Sequence, residues 1–376
     1  MKRIGIALML SAAAAMVFAG ATRTEDPATG AVEKGLRWLV SVQGRDGGWG
    51  QDGGETPFVR AGERLETSGN DVANTAVALQ ALLHSGHTPT QGEYRAAVRR
   101  ATEFLLRQIE SSPEQGLAVT SMTGTQIQRK LGPYIDTFLS SRVLSELDGN
   151  MGDTALNARV RQALQKCVRK IETNQQRDGS WNISGGWAPI LGTSIASRSL
   201  YDAQKKGVKV DQAVMARVDE YTKRSAAEPV AAPGGARAMG SAASADAGVS
   251  LYKGAQNLEQ MTRTEKDRRA NASEIRKVVG SLNDSRFVNG FGSMGGEEFF
   301  SYLNISDSLH RTGGEEWNKW NSQIKVRLAR LQNNDGTWAG HHCITGRVAV
   351  TSAAVLTLRA EHDPLDGNFK KAALKP

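Results

Sequence analysis

Apolar residues at Val160, Ala163, Leu164, Cys167, Val168 and Ile171 recur every three or four positions, with Arg and Lys between them. That spacing gathers them on one side of a helix and leaves the other side wet. The same stripe runs through Val32, Leu36, Leu39 and Val40, through Val98, Ala101, Leu105 and Ile109, and through Ile324, Leu328 and Leu331. Segments of a second kind lie between them, at 72–83, 134–147, 195–201, 299–309 and 348–358, apolar or small nearly all round. A helix of that composition needs burial on every side, so the alternation predicts an inner layer of helices inside an outer one. The expected fold is all-α, a closed (α/α)6 toroid of six helical hairpins. They begin near residues 31, 93, 157, 211, 264 and 315, and a period of about 60 residues holds two ordinary helices and their loops.

The stretch 225–248 is rich in Ala, Gly, Pro and Ser and reads as a flexible surface loop within one domain at 31–360, flanked by a linker at 22–30 and a tail at 361–376. A domain boundary at that loop would leave two incomplete rings with exposed apolar inner helices. Lys2 and Arg3 precede an apolar run at 4–18 and the small residues Ala19, Gly20 and Ala21, the pattern of a signal peptide at 1–21. The run is too short for a bilayer, which needs about 20 residues. Export to the periplasm or the medium is the expectation, with no later segment apolar enough to span a membrane.

Three outer helices end in one pattern: Gln43-Gly-Arg-Asp46-Gly-Gly-Trp49, Gln176-Arg-Asp178-Gly-Ser-Trp181 and Gln332-Asn-Asn-Asp335-Gly-Thr-Trp338. Glycine accepts the left-handed conformation that stops a helix, and the indole buries a large apolar area between hairpins. The turn resembles the repeat shared by squalene and oxidosqualene cyclases and the β subunits of protein prenyltransferases. The resemblance covers nearly the whole chain after the leader. It implies the toroid, and it implies that Trp49, Trp181 and Trp338 are structural. It would also imply chemistry whose residues are missing here. The chain has neither the Asp-x-Cys pair of the prenyltransferase zinc site nor the Asp-x-Asp-Asp acid motif of the cyclases. At 6% the aromatic content is low for a cavity that must stabilise carbocations with ring faces.

The starts of inner helices converge on one rim with unpaired N–H groups and a positive dipole end. The polar residues expected there are Asn70, Asp71 and Asn74, then Asp136, then Thr193 and Ser194, then Glu297 and Glu298, with Arg347 opening the sixth inner helix. His341, His342 and Cys343 immediately precede it. Imidazole, thiolate and carboxylate are zinc ligands, and an uncoordinated carboxylate can act as general base toward a metal-bound water. On this reading His341, His342 and Cys343 bind zinc, Glu297 or Glu298 is the base, and Asp71, Asp136 and Arg347 line a ligand-binding rim. Carboxylates at a helix start are also favourable caps with no further role.

Cys167 lies on a buried stripe and Cys343 three hairpins away, so two free thiols are expected. The 47 Lys and Arg exceed the 39 Asp and Glu, but the basic residues are scattered over polar helix faces, which argues against nucleic-acid binding. Two functions stay open. One is a monomeric binding protein for a small or apolar ligand or a partner, without cyclase or prenyltransferase activity. The other is a metal-assisted hydrolase or lyase with its site on the cavity rim.

Overall fold

The computed structural model describes residues 27–51, 69–183, 189–227, 250–290, 295–340 and 344–365. The expected signal peptide, most of the Ala/Gly-rich loop and the three residues His341, His342 and Cys343 lie outside them.

The outer helices are Pro27–Ser41, Arg95–Ser111, Thr154–Thr173, Gln212–Ala227, the short pair Glu265–Ala270 and Ala272–Ser281, and Gly314–Leu331. The inner helices are Val72–His84, Ile135–Leu147, Pro189–Lys205, Ser250–Met261, Gly296–Thr312 and Arg347–Leu358. Each inner helix packs on the next in chain order and the sixth packs back on the first, so the ring is closed. Among the described residues there is no strand beyond a single bridge between Trp49 and Asp71, and no helix is long and apolar enough to cross a membrane.

The two helix classes follow from composition. In Val72–His84 and Ile135–Leu147 every residue is buried. In Thr154–Thr173 the stripe from Val160 to Ile171 is buried while Arg169 faces solvent. The sequence pattern marked no inner segment in the fourth hairpin. Ser250–Met261 fills that place with Leu251, Tyr252, Ala255 and Leu258 in the core, but it also buries Gln256, Glu259 and Gln260. These polar residues break the all-apolar signature because this helix faces a polar lumen.

The repeated turn is a joint between hairpins. Each indole is buried and donates Nε1–H to a carbonyl ten residues back: Trp49 to Leu39 at 2.7 Å, Trp181 to Ile171 at 2.7 Å and Trp338 to Leu328 at 2.8 Å. Each tryptophan backbone N–H meets a threonine of its own inner helix, Thr75, Thr193 or Thr351. The turn glycines Gly47, Gly179 and Gly336 have φ of 94°, 95° and 91°. A Cβ on them would strike the carbonyls of Arg100, Arg217 and Lys34 in the neighbouring outer helices. Only glycine permits that approach. A glutamine amide then bonds across: Gln43 to Ala97, Gln175 to Val214 and Gln332 to Ala31. The glutamine of the second copy is therefore Gln175, not Gln176, since in the joint the glutamine stands three positions before the aspartate, with two residues between them. The third copy joins the last hairpin to the first and closes the ring.

Two expected boundaries move. The first outer helix starts at Pro27, inside the expected linker, because Ala28 and Ala31 pack into the core. At the other end, residues expected to begin a tail form the short helix Ala360–His362, and Asp363 is buried beneath the barrel.

Candidate functional site

At the rim where inner helices begin, Asp71 caps the first, its Oδ1 accepting from Asn74 N at 2.8 Å. Asp136, in the first turn of the second, accepts from Ala73 N at 3.1 Å and from Gln128 Nε2 at 2.7 Å. Both carboxyls are buried. Desolvation pushes Asp71 up to about 6. Desolvation, and then the neighbouring Asp71 charge, push Asp136 up to about 7. Near neutrality the pair tends to keep a proton, because two like charges in a dry site cannot both ionise cheaply.

Glu297 and Glu298 are completely buried in the first turn of the fifth inner helix. Glu297 Oε2 accepts from Ile344 N at 3.4 Å, whereas the Glu298 carboxylate turns to the other side, against Gly290. Gly340, Ile344 and Gly296 are crowded together: a Cβ on Gly340 would lie 2.0 Å from the Ile344 carbonyl and 2.7 Å from the Gly296 nitrogen. Gly340 and Ile344, the described residues flanking 341–343, are thus held beside Glu297. Gln126 ties Thr345 and Gly346 to the short helix Gln126–Leu131, from which Gln128 reaches Asp136. Arg347 points elsewhere, pairing with Asp335 at 3.1 Å and lying over the Trp38 ring. Asp71 and Asp136 therefore meet, Glu297 stands by the sixth hairpin, and Arg347 belongs to the outer layer.

The lumen holds a second constellation. From the second inner helix, Arg142 crosses to Asp307 on the fifth, 3.2 Å away, and lies 3.6 Å from Asp202 on the third. Arg198 on the third binds Asp202 at 2.9 Å and crosses to Asp363, just past the sixth, at 3.1 Å. Helices two and five, and helices three and six, are opposite one another in a six-membered ring. Two buried ion pairs therefore span the axis. Burial works against the Arg198 cation, but Asp202, Asp363 and Asp307 outweigh it and hold its pKa above the ordinary arginine value. Glu259 on the fourth inner helix is pushed by desolvation up to about 7 and sits near Arg311.

Beneath this layer, His84 Nε2 lies 3.2 Å from Glu146 Oε1, and Gln80 donates to the same oxygen. The sequence did carry a signal for these groups. Arg142, Glu146, Arg198 and Asp307 are ionisable residues within segments otherwise apolar or small, and such residues stay buried only with partners.

No protein-family profile matches the sequence, and no curated protein matches it. Among solved structures, an alanine variant of the type II terpene cyclase MstE from Scytonema, bound to its product merosterolic acid A, has the same fold, with a TM-score of 0.52 at 13% identity over 90% of this chain and 98% of that one. The chain thus has the all-α toroid fold of that type II terpene cyclase.

Proposed function

We propose that this toroid is an exported binding protein for a small polar ligand and that it cyclises no isoprenoid. The observation that carries the reading is the pair of ion bridges, Arg142–Asp307 and Arg198–Asp363, crossing the lumen. A long hydrocarbon would have to displace four buried charges from their partners, which costs several kcal/mol per ion. A cleft of about 910 Å³ remains at the end of the barrel below them. Arg161, Lys205 and Lys206 line it together with Glu146 and Asp148, which pairs with Arg161 at 2.7 Å, a lining of net positive charge suited to a small anion. Thermal-shift measurements on the mature chain test this: small carboxylates or phosphates should raise Tm, and a C30 polyprene should neither raise Tm nor yield a cyclic product. Formation of a cyclic product would overturn the reading. N-terminal sequencing of exported protein should begin at Thr22, and retention of the leader would refute export.

A second reading, a metal-assisted hydrolase or lyase at the opposite rim, is favoured by the contact of Glu297 with Ile344, which immediately follows His341, His342 and Cys343. Zinc on those three residues would leave Glu297 as the base. Hydrolysis abolished by Glu297→Gln with the helical signal intact would support it, and unchanged hydrolysis would refute it.

A further inference from the structure

We propose that His84, Glu146 and Asp363 hold one divalent transition-metal ion, of the kind zinc represents, at the end of the barrel where the inner helices finish. One ligand atom from each lies within 4.8 Å of the other two, and all three residues are buried. A tetrahedral ion with bonds of about 2.0–2.2 Å needs ligand atoms about 3.3–3.6 Å apart, so modest side-chain rotation suffices.

Charge balance points the same way. The linked layer of Arg142, Arg198, Asp202, Asp307 and Asp363 sets two guanidinium groups against three carboxylates, and Glu146, beneath it beside His84, adds a fourth. A dry interior does not tolerate two uncompensated negative charges. Two protons or one divalent cation would supply the difference. Glu146 Oε2 and His84 Nδ1 are buried without a hydrogen-bond partner, which leaves coordinating capacity unused on two of the three residues.

The surroundings fit a metal site. His84 is the last residue of the first inner helix, where the dipole favours a cation. The Asp363 carboxylate is fixed by Arg198 at 3.1 Å and by Leu365 N at 2.8 Å, and Gln80 holds Glu146. Such outer contacts orient ligands. Glu146, Leu83, Pro364 and Leu365 line the 910 Å³ cleft, which gives an ion a way in. The metal would fasten the segment after the sixth inner helix to the first two. It is independent of the ligand reading above, since a protein that bound no small anion would still take up the ion.

The test is calorimetric titration of the chelator-stripped mature chain with zinc chloride, repeated by absorption with cobalt(II). One saturable equivalent is expected, with a higher Tm and a visible cobalt band but no thiolate-to-cobalt charge-transfer band. Asp363→Asn and Glu146→Gln should each weaken binding at least ~10-fold, and Cys343→Ser should leave it unchanged. Absence of saturable binding, or binding equal to wild type in both carboxylate variants, overturns the proposal. So does a charge-transfer band that vanishes in Cys343→Ser, which would move the metal to His341, His342 and Cys343. If Glu146→Gln fails to fold, the isosteric Asp363→Asn decides alone.

Discussion

Asp136 shows how burial converts an ordinary side chain into one with a measurable pH signature. Its folded-state pKa of about 7 lies above the unfolded value of 3.8. From about pH 4 to 7 the folded chain therefore holds more protons there than the unfolded chain, and stability falls as pH rises. Below 3.8 the group is protonated in both states and contributes no slope. Asp136→Asn should flatten this fall, by on the order of 1–4 kcal/mol across the window. Urea midpoints at pH 4.5 and 7.5 measure it, and a wild-type slope no steeper than the variant's would contradict the assignment. Cys167 is the quieter counterpart. Burial pushes its thiol up to about 12, so it behaves as the small apolar residue that its stripe suggested.

Among the elements, the inner helices are held apart as well as together by their charges. Removing Arg142 alone takes the ion-pair partner from buried Asp307 and leaves Asp202 with Arg198 only, at a cost of about 3–5 kcal/mol. Arg142→Met with Asp307→Leu removes the crossing pair and fills the space with apolar atoms. The double variant should be less destabilised than Arg142→Met alone. A double variant that loses the sum of the two single effects would show that the pair is not coupled. The short helix Gln126–Leu131 acts on a smaller scale, since Thr125 and Gln128 form a capping box that also aims Gln128 at Asp136.

The whole molecule is a ring, and a ring has no frayed end. Trp181 fastens the third hairpin to the fourth and Trp338 fastens the sixth to the first, with the same bonds. Trp181→Ala and Trp338→Ala should each cost about 3–5 kcal/mol, as for other buried tryptophans. An open solenoid would instead lose its terminal unit first. A separate early transition in Trp338→Ala alone would mean that the closing joint is weak.

The fold was readable in the sequence because helix periodicity and the Asp-Gly-Trp turn are local, and each hairpin repeats the same solvation problem. The pattern fixed the six hairpins, the layer of each helix it recognised and the structural role of Trp49, Trp181 and Trp338. It missed Ser250–Met261, where polar lumen residues masked an inner helix, and it took Gln176 for Gln175, since only the joint's geometry distinguishes two adjacent glutamines. Asp71 and Asp136 were legible as residues at inner-helix starts, but the upward push of the Asp71 charge on Asp136 depends on a separation that no spacing along the chain reveals. The crossing pairs Arg142–Asp307 and Arg198–Asp363, each 165 residues apart in sequence, and the meeting of His84, Glu146 and Asp363 were decided by ring closure alone. Periodicity states which side of a helix is buried, whereas which buried charge meets which is set by the diameter and phase of the closed ring.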